Sequence, residues 1–592
     1  VYGFHGAYLR IDLSRGATTR VPLDPGVLRD WLGGVGLGTW LLARETPPGV
    51  DPLAPEAPVV IAFSPLAGTR LATSAKLAVV ARSPLTGLLS DGLSGSDFAL
   101  AGKAMGVDAI VITGRCARPS VWRAGRLEPT RLWGASAAET EAALGAPGRV
   151  LAIGPAGENG VRFASLSNGA RHAGRGGIGA VLGAKRLKAL VVEGDVPTRV
   201  HDAGRVETLA RDLARRSLGE ATAKYRELGT ASNLLAFDRL AVLPTRNFQR
   251  GRFAGAERLA GRPPGPEAPR VRRSCAHCAI GCEHRHPRAG GDTTRVEYES
   301  LFALGSLCAV DDPDVVVEAI ARCDALGLDT VSTGGTIAFA MECTERGWLE
   351  DGPRFGDGDA LLRTIDDIAH RRGLGDRLAE GSRRAAEWIG QGAPAIAPHV
   401  KGLELPGYDP RALHAQALGF AVSTRGADHN RTGGYEVDFS EAADRLRGDA
   451  RSAARLVEAE DRAALIDSLI LCKFLRGAIP DLYAEAAGML SAVTGWGYGA
   501  DDLRAVAKRI VDARKRFNVR VGWLPEDDRL PDRLLDDVLR EDGAPAALLT
   551  RCRLREMIRA YNVARGWSED GYPEAGDDGW TVASAPSGEP AA

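Results

Sequence analysis

A chain of 592 residues exceeds what one hydrophobic core supports, so about two to four domains are expected. Lys+Arg (75) and Asp+Glu (76) nearly cancel, which leaves no global field to steer nucleic acid or an anionic membrane. Nine cysteines, an odd number with a single tight cluster, do not form a disulfide framework and point to a reducing cytoplasm.

The opening "VYGFHGAYLRIDLSRG" alternates like a strand and lacks the apolar stretch of a signal peptide. No apolar run reaches the roughly eighteen residues of a membrane span. Up to about residue 200 the pattern is mostly β: "APVVIAFSPLAG", "AKLAVVARSPLTG", "DAIVITG", "RVLAIGPAGENG" and "LKALVVEG" are short β-branched runs cut by Gly and Pro. From about residue 205 the period becomes helical, with Val206, Leu209, Ala210 and Leu213 on one face. "GRPPGPEAPR" (261–270) reads as a connector, and helical patterns follow at 312–326, 359–372, 376–389, 461–475, 501–517 and 551–565. The tail "DDGWTVASAPSGEPAA" is small and polar, as frayed termini are. The fold class expected is α+β. A β-rich domain (1–205) precedes two mainly helical ones (206–400 and 401–592).

Two features carry chemistry. "RRSCAHCAIGCEHRH" (272–286) holds Cys275, Cys278 and Cys282 among three histidines. A structural zinc needs four ligands in a closed tetrahedron, and a cubane iron–sulfur cluster needs four thiolates. The stretch alone serves either, with the missing ligand His284, His286 or a distant cysteine. The second feature is a repeated form, Asp-x-x-x-Leu-[Asp/Cys], in Asp324–Asp329 and again in Asp467–Cys472. A carboxylate near a helix end can accept hydrogen bonds from the ring N–H groups of a heterocycle.

Motifs along nearly the whole chain, in order, resemble the tungsten-containing aldehyde:ferredoxin oxidoreductases. They are "GAYLRIDLSRG", "GGVGLGTWLL", "LAVVARSPLTG", "RHAGRGGIGAVLGAKRLKAL", the Cys-x2-Cys-x3-Cys cluster, "EYES", "CDALGLDTVSTG", "RGADHNR", "DSLILCKF" and "RFNVRVG". The resemblance implies a 4Fe–4S cluster on Cys275, Cys278, Cys282 and Cys472, beside a tungsten or molybdenum bis-pterin; the sequence does not separate the two metals. His277, His284 and His286 then become polar cover, and Cys116, Cys308, Cys323, Cys343 and Cys552 buried small apolar residues. Asp324 and Asp467 would bond the two pterin rings, while Leu328, Asp329 and Leu471 present backbone to them. A magnesium ion bridges the pterin phosphates in the family. "RHAGRGG" would offer Arg171, Gly174 and Arg175 to phosphate, and "SDGLSGSDF" (90–98) a second pterin loop with Leu93 and Gly95. The chain departs from the family in Lys76 for Arg, Leu93 for Asn, His172 for Ala and Ile470 for Gly, the last expected to crowd one pterin. A family interface metal uses a Glu and a His; Glu318 matches the first, but Ala321 stands at the second.

The activity implied is oxidation of an aldehyde to a carboxylic acid, or the reverse, with electrons leaving to ferredoxin or an iron–sulfur subunit. Reduction of aromatic thioesters, a reaction of other members of the fold, is the alternative. Glu299 (after Tyr298) and His429 match the family's residues facing the metal and would supply acid–base chemistry. Tyr435, Phe439, Arg425 and Asn430 adjoin His429 as pocket lining. The resemblance implies a cofactor at the common interface of the three domains, where ligand sites commonly occur, and allows a homodimer or a hetero-oligomer.

Overall fold

Two mixed six-stranded sheets carry the first third of the chain. In the first, β1 (Ala7–Asp12), β2 (Ala17–Pro22), β3 (Val59–Ala62), β4 (Lys76–Arg82), β5 (Leu89–Gly95) and β6 (Ala109–Thr113) lie in the order β2-β1-β6-β3-β4-β5. In the second, β7 (Ser120–Arg123), β8 (Arg126–Pro129), β9 (Val150–Ala152), β10 (Leu166–Asn168), β11 (Arg171–Ala173) and β12 (Leu187–Val191) lie in the order β11-β10-β9-β12-β7-β8. The computed structural model describes residues 1–71, 74–260, 271–288, 291–574 and 576, so the 261–270 connector and the 577–592 tail lie outside the described residues.

β3 reads VVIA and is buried throughout, as a central strand covered on both faces must be. Two hairpins set out the residues that matter later. β4 and β5 pair Lys76 with Gly95 and Val80 with Asp91; β10 and β11 pair Ser167 with His172 and Asn168 with Arg171. The sheets touch where Gly92 of β5 meets Ala173 of β11: a Cβ at Gly92 would stand 3.0 Å from the Ala173 methyl.

The mostly β reading of this region misses the helix Gly34–Glu45, whose first ten residues are all buried. Its glycines serve helix packing. A Cβ on Gly34 would lie 2.4 Å from the Asp467 carbonyl oxygen, and the Gly36 N–H donates to Ser468 Oγ at 3.1 Å. "GGVGLG" thus lets this helix rest on the backbone of the second Asp motif.

From Ala203 the chain is mainly helical. Helix Pro313–Leu326 is bounded as its sequence dictates, by the Asp312 side chain capping its first turn, Pro at N1 and left-handed Gly327 at its end. Helix Ala450–Leu469 starts at an Asp449 cap and ends at Ile470, which is also left-handed (φ 56°). That conformation stops the pattern expected to run to 475, and residues 473–478 continue as a 3-10 helix. The 376–389 pattern likewise splits into Leu374–Leu378 and Ser382–Ile389 around Gly381, φ 86°.

Cys116, Cys308, Cys323 and Cys343 are buried as expected, but Cys552 is exposed near the start of helix Arg551–Arg565; none of the nine cysteines is disulfide-bonded. Among the described residues no helix is long and apolar enough to cross a membrane. Glu318 is held by Arg288 (2.8 Å) and Arg322 (3.1 Å), so its carboxylate is committed within the chain.

Candidate active site

A cavity of about 590 Å³ opens where the β4–β5 and β10–β11 hairpins meet the cysteine segment and the ends of the two Asp-motif helices. Every site residue singled out in the sequence lines it: Cys275, Cys278, Cys282 and Cys472; Asp324, Leu328, Asp329, Asp467 and Leu471; Lys76, Leu93, Gly95, Arg171, His172, Gly174 and Arg175; and Glu299 with His429. Tyr435, Phe439, Arg425 and Asn430 line it too.

The four thiols form one electrostatic group. Burial, then the neighbouring Cys472 and Cys275, push the Cys278 thiol up, and burial with Cys472 pushes Cys282 up to about 12. Gly95 is required here because a Cβ would stand 2.8 Å from the Cys275 sulfur. Among the described residues no three His, Cys, Asp or Glu side chains converge on a single ion. Lys76 sits within the group. Burial pulls its pKa down, but Cys472, Cys275 and Asp467 outweigh burial and keep the ammonium charged.

The two Asp motifs differ in what surrounds them. Asp467 Oδ2 accepts from Arg431 at 3.0 Å and lies 3.6 Å from the Lys473 ammonium, while Oδ1 is buried with no hydrogen-bond partner. Asp324 is one-third exposed to the cavity, with His172 Nε2 at 3.2 Å in an approach not aligned as a hydrogen bond; Nδ1 of that ring contacts Ser167 Oγ at 2.8 Å. Buried polar atoms without partners cost about 1–3 kcal/mol each. Asp467 Oδ1, Ser94 Oγ, Glu299 Oε1 and His429 Nδ1 are four such atoms around this cavity, and they suit a large polar heterocyclic group.

Several expected contacts are spent inside the protein. The N–H groups of Leu328, Asp329 and Leu471 already donate to Cys323 (2.8 Å), Phe163 (3.1 Å) and Ile466 (3.0 Å) carbonyls. The Leu328 and Leu471 bonds close helix ends and the Asp329 bond ties its motif to the Phe163 segment, so these three N–H groups are already committed. The Asp329 side chain caps the next helix through Val331 and Ser332 N–H. Arg175 makes three hydrogen bonds inside the protein: Nε to Asp329 (3.3 Å), one terminal nitrogen to Ala427 O (2.7 Å) and the other to Glu404 O (2.5 Å). It clamps three segments, and each terminal nitrogen keeps a second N–H. Arg171 pairs with buried Glu283 at 2.5 Å. Ile470 does not crowd the cavity. It packs in the core against Gly34, leaving the wall to Leu471.

Glu299 and His429 meet from opposite halves of the helical region, Glu299 in the first turn of Tyr298–Leu304 and His429 at the start of His429–Thr432. Glu299 Oε2 accepts from Gly407 N–H at 3.0 Å, and Oε1 lies 3.6 Å from His429 Nε2. Burial raises the Glu299 pKa to about 8 and lowers that of His429 to about 3. As the Asn430 amide is oriented, it donates into His429 Nε2 at 2.7 Å, which places the ring proton on the unpartnered Nδ1.

The description "Aldehyde ferredoxin oxidoreductase, N-terminal domain" matches residues 8–194, and "Aldehyde ferredoxin oxidoreductase, domains 2 & 3" matches residues 208–577. The chain belongs to the aldehyde ferredoxin oxidoreductase family. It is an oxidoreductase. It is 36% identical to the tungsten-containing aldehyde ferredoxin oxidoreductases of Pyrococcus furiosus and Thermococcus kodakarensis, over 96% of this chain and 97% of each relative. It is 27% identical to the aliphatic sulfonate oxidoreductase, WOR-like subunit, of Pyrococcus furiosus over 97% of this chain and 96% of that one. The fold is shared with the active-site complex BamBC of benzoyl coenzyme A reductase in complex with 1,5-dienoyl-CoA, with a TM-score of 0.81, 24% identity, and 97% and 96% of the two chains covered.

Sequence reasoning missed the charge network behind this aldehyde ferredoxin oxidoreductase site. Asp91 on β5 is fully buried between Arg431 (2.6 Å) and Arg514 (2.5 Å), with Arg425 at 3.9 Å. Burial opposes its charge, but the guanidiniums outweigh burial and hold its pKa below the carboxylate range. Asp428 is held far down in the same way by Arg425 and Arg431, and it caps the turn that carries His429. Arg431 therefore bridges Asp91 to Asp467, joining the β4–β5 hairpin to the second Asp motif. Asp91 and Arg431 stand in quoted motifs, yet only their long-range pairing shows their part.

Proposed function

We propose that this oxidoreductase converts an aldehyde and water to a carboxylic acid at a tungsten centre held by two pterins, releasing two electrons and two protons. The electrons leave through a 4Fe–4S cluster to ferredoxin or another iron–sulfur protein. The observation that supports this is the convergence of four thiols, both Asp motifs and the Glu299–His429 pair on one cavity.

Cys275, Cys278, Cys282 and Cys472 would hold the cluster. Asp324 and the unpartnered Asp467 Oδ1 would accept from the pterin rings. Arg171, Gly174, Leu93 and Gly95 would lie along the pterins with their magnesium-bridged phosphates, and Lys76 would supply charge between the cluster and Asp467. When bound, the metal centre supplies a two-electron acceptor and the cluster a one-electron outlet.

The protein's own part is proton handling and orientation. His429 Nδ1–H would hydrogen-bond the carbonyl oxygen and polarise it. Glu299, as carboxylate, would take a proton from the water that adds to the carbonyl carbon. Gly407 N–H fixes Oε2 of that carboxyl group, so Oε1 is the oxygen left to carry the proton. Tyr408 stacks on the His429 ring at 5.1 Å and keeps its orientation. Anaerobic viologen reduction by a set of aldehydes tests the reading in protein shown to contain tungsten and iron. Absence of aldehyde turnover in such protein, with oxidation of reduced dye by aromatic thioesters, would overturn it.

A further inference from the structure

The apolar lining of the cavity is divided by chemistry. Its larger aliphatic members, Leu93, Ile280, Ile320, Leu328 and Leu471, come from the β4–β5 hairpin, the cysteine segment, or the Asp motifs and the helix Pro313–Leu326 that leads into the first of them. Around Glu299 and His429 the lining is made of rings. Tyr408 stacks on His429 with planes at 29°, and Tyr435 continues the stack at 5.4 Å and 24°. Phe237 leans on Tyr408 at 5.2 Å and stacks with Phe439 at 5.7 Å and 17°. Tyr225 and Phe474 form a further stacked pair at 4.0 Å and 16°.

These rings run outward as well as inward. Phe237 is 8% exposed and its partner Phe439 40%, so the series passes from the acid–base pair to a rim that meets solvent. The set is held in place at Tyr435, whose hydroxyl accepts from Arg476 at 2.5 Å. Aromatic rings prefer offset-stacked or edge-to-face partners 4.5–7 Å apart, a geometry that a saturated chain of equal size does not exploit.

We infer that the substrate is an aryl aldehyde, its ring packed among Tyr408, Tyr435 and Phe439 with the formyl group directed at Glu299 and His429. This rests on the aldehyde oxidation proposed above and narrows it to one class. The comparison that isolates ring chemistry from size is benzaldehyde against cyclohexanecarbaldehyde.

In tungsten-loaded protein, kcat/KM is expected to favour benzaldehyde by about tenfold or more. Phe439→Ala should reduce the benzaldehyde value about threefold to tenfold, the size of one ring–ring contact, and change the cyclohexyl value far less. Phe439→Tyr, which keeps the ring, should restore the preference. Equal kcat/KM for the two aldehydes, or an equal loss for both in Phe439→Ala, would overturn the inference while leaving aldehyde oxidation intact. Turnover of neither aldehyde would overturn the proposed oxidation instead. Calorimetric binding of benzoate against cyclohexanecarboxylate then decides the ring question: preference for benzoate supports it, and equal binding overturns it.

Discussion

Glu299 Oε1 and His429 Nε2 stand 3.6 Å apart, and burial leaves both side chains uncharged near neutral pH. The carboxyl group holds its proton until pH about 8, and the imidazole refuses a second proton until about 3. Across that window the pair offers a carboxylic acid and a neutral ring, so the missing species for aldehyde oxidation is the Glu299 carboxylate.

Oxidation is therefore expected to rise with pH toward an apparent pKa of about 8, the value at which Glu299 ionises. Acid reduction, the reverse direction, needs the protonated form and should fall over the same range. Glu299→Gln should lose that limb and cut oxidation about a hundredfold to ten-thousandfold. Tungsten and iron contents, measured beside the pH–rate profile, should not change. A profile that keeps its limb in the variant would place the base elsewhere.

The same shift makes a stability statement for protein without its cofactors. Glu299 has a folded pKa of about 8, above its ordinary value of 4.5. A raised carboxyl pKa contributes stability that is full below the unfolded value and lost as pH rises through the folded one. The melting temperature of cofactor-free protein should thus fall between about pH 5 and 8 through this group. Glu299→Gln should flatten that part of the curve, and thermal melts across the range would show it.

Asp91 is expected to be structural rather than chemical. It is fully buried between the Arg431 and Arg514 guanidiniums. Removing one partner of a buried ion pair leaves uncompensated charge and typically costs about 3–5 kcal/mol. Asp91→Ala should lose stability on that scale in denaturant unfolding, against little change for Asp501→Ala, whose carboxylate is fully exposed.

What the sequence showed and what it hid follow from how far each signal reaches. The cysteine cluster and the two Asp motifs are written in a few adjacent residues whose chemistry is unusual, so their convergence could be anticipated. Arg431 is different. Its partners Asp91 and Asp467 come from β5 and a later helix, and no local pattern announces the pairing. Ile470 shows how a substitution can mislead. In place of Gly it suggested a bulky side chain in the pterin's way, but its left-handed backbone carries that side chain into the core beside Gly34. Arg171 and Arg175 have the same reach: Glu283 pairs with the first, and the Asp329, Ala427 and Glu404 oxygens accept from the second, partners that no local pattern announces.

Cys472 reaches the other three thiols only through the fold. It begins the turn after the second Asp-motif helix and raises the pKa values of Cys278 and Cys282 across the cavity. Cubane clusters use four thiolates, so Cys472→Ala should yield a labile or three-iron form after anaerobic reconstitution. Iron content and the reduced spectrum would report it. Cys552→Ser is the control, since Cys552 is exposed and lies outside the cavity. Because Cys282 is pushed up to about 12, iron must displace protons to bind, and loading of the native protein should improve from pH 6.5 to about 8.5. Full iron content in Cys472→Ala would move the fourth ligand elsewhere, with His284 and His286 on the neighbouring strand Glu283–Pro287 the residues to change next.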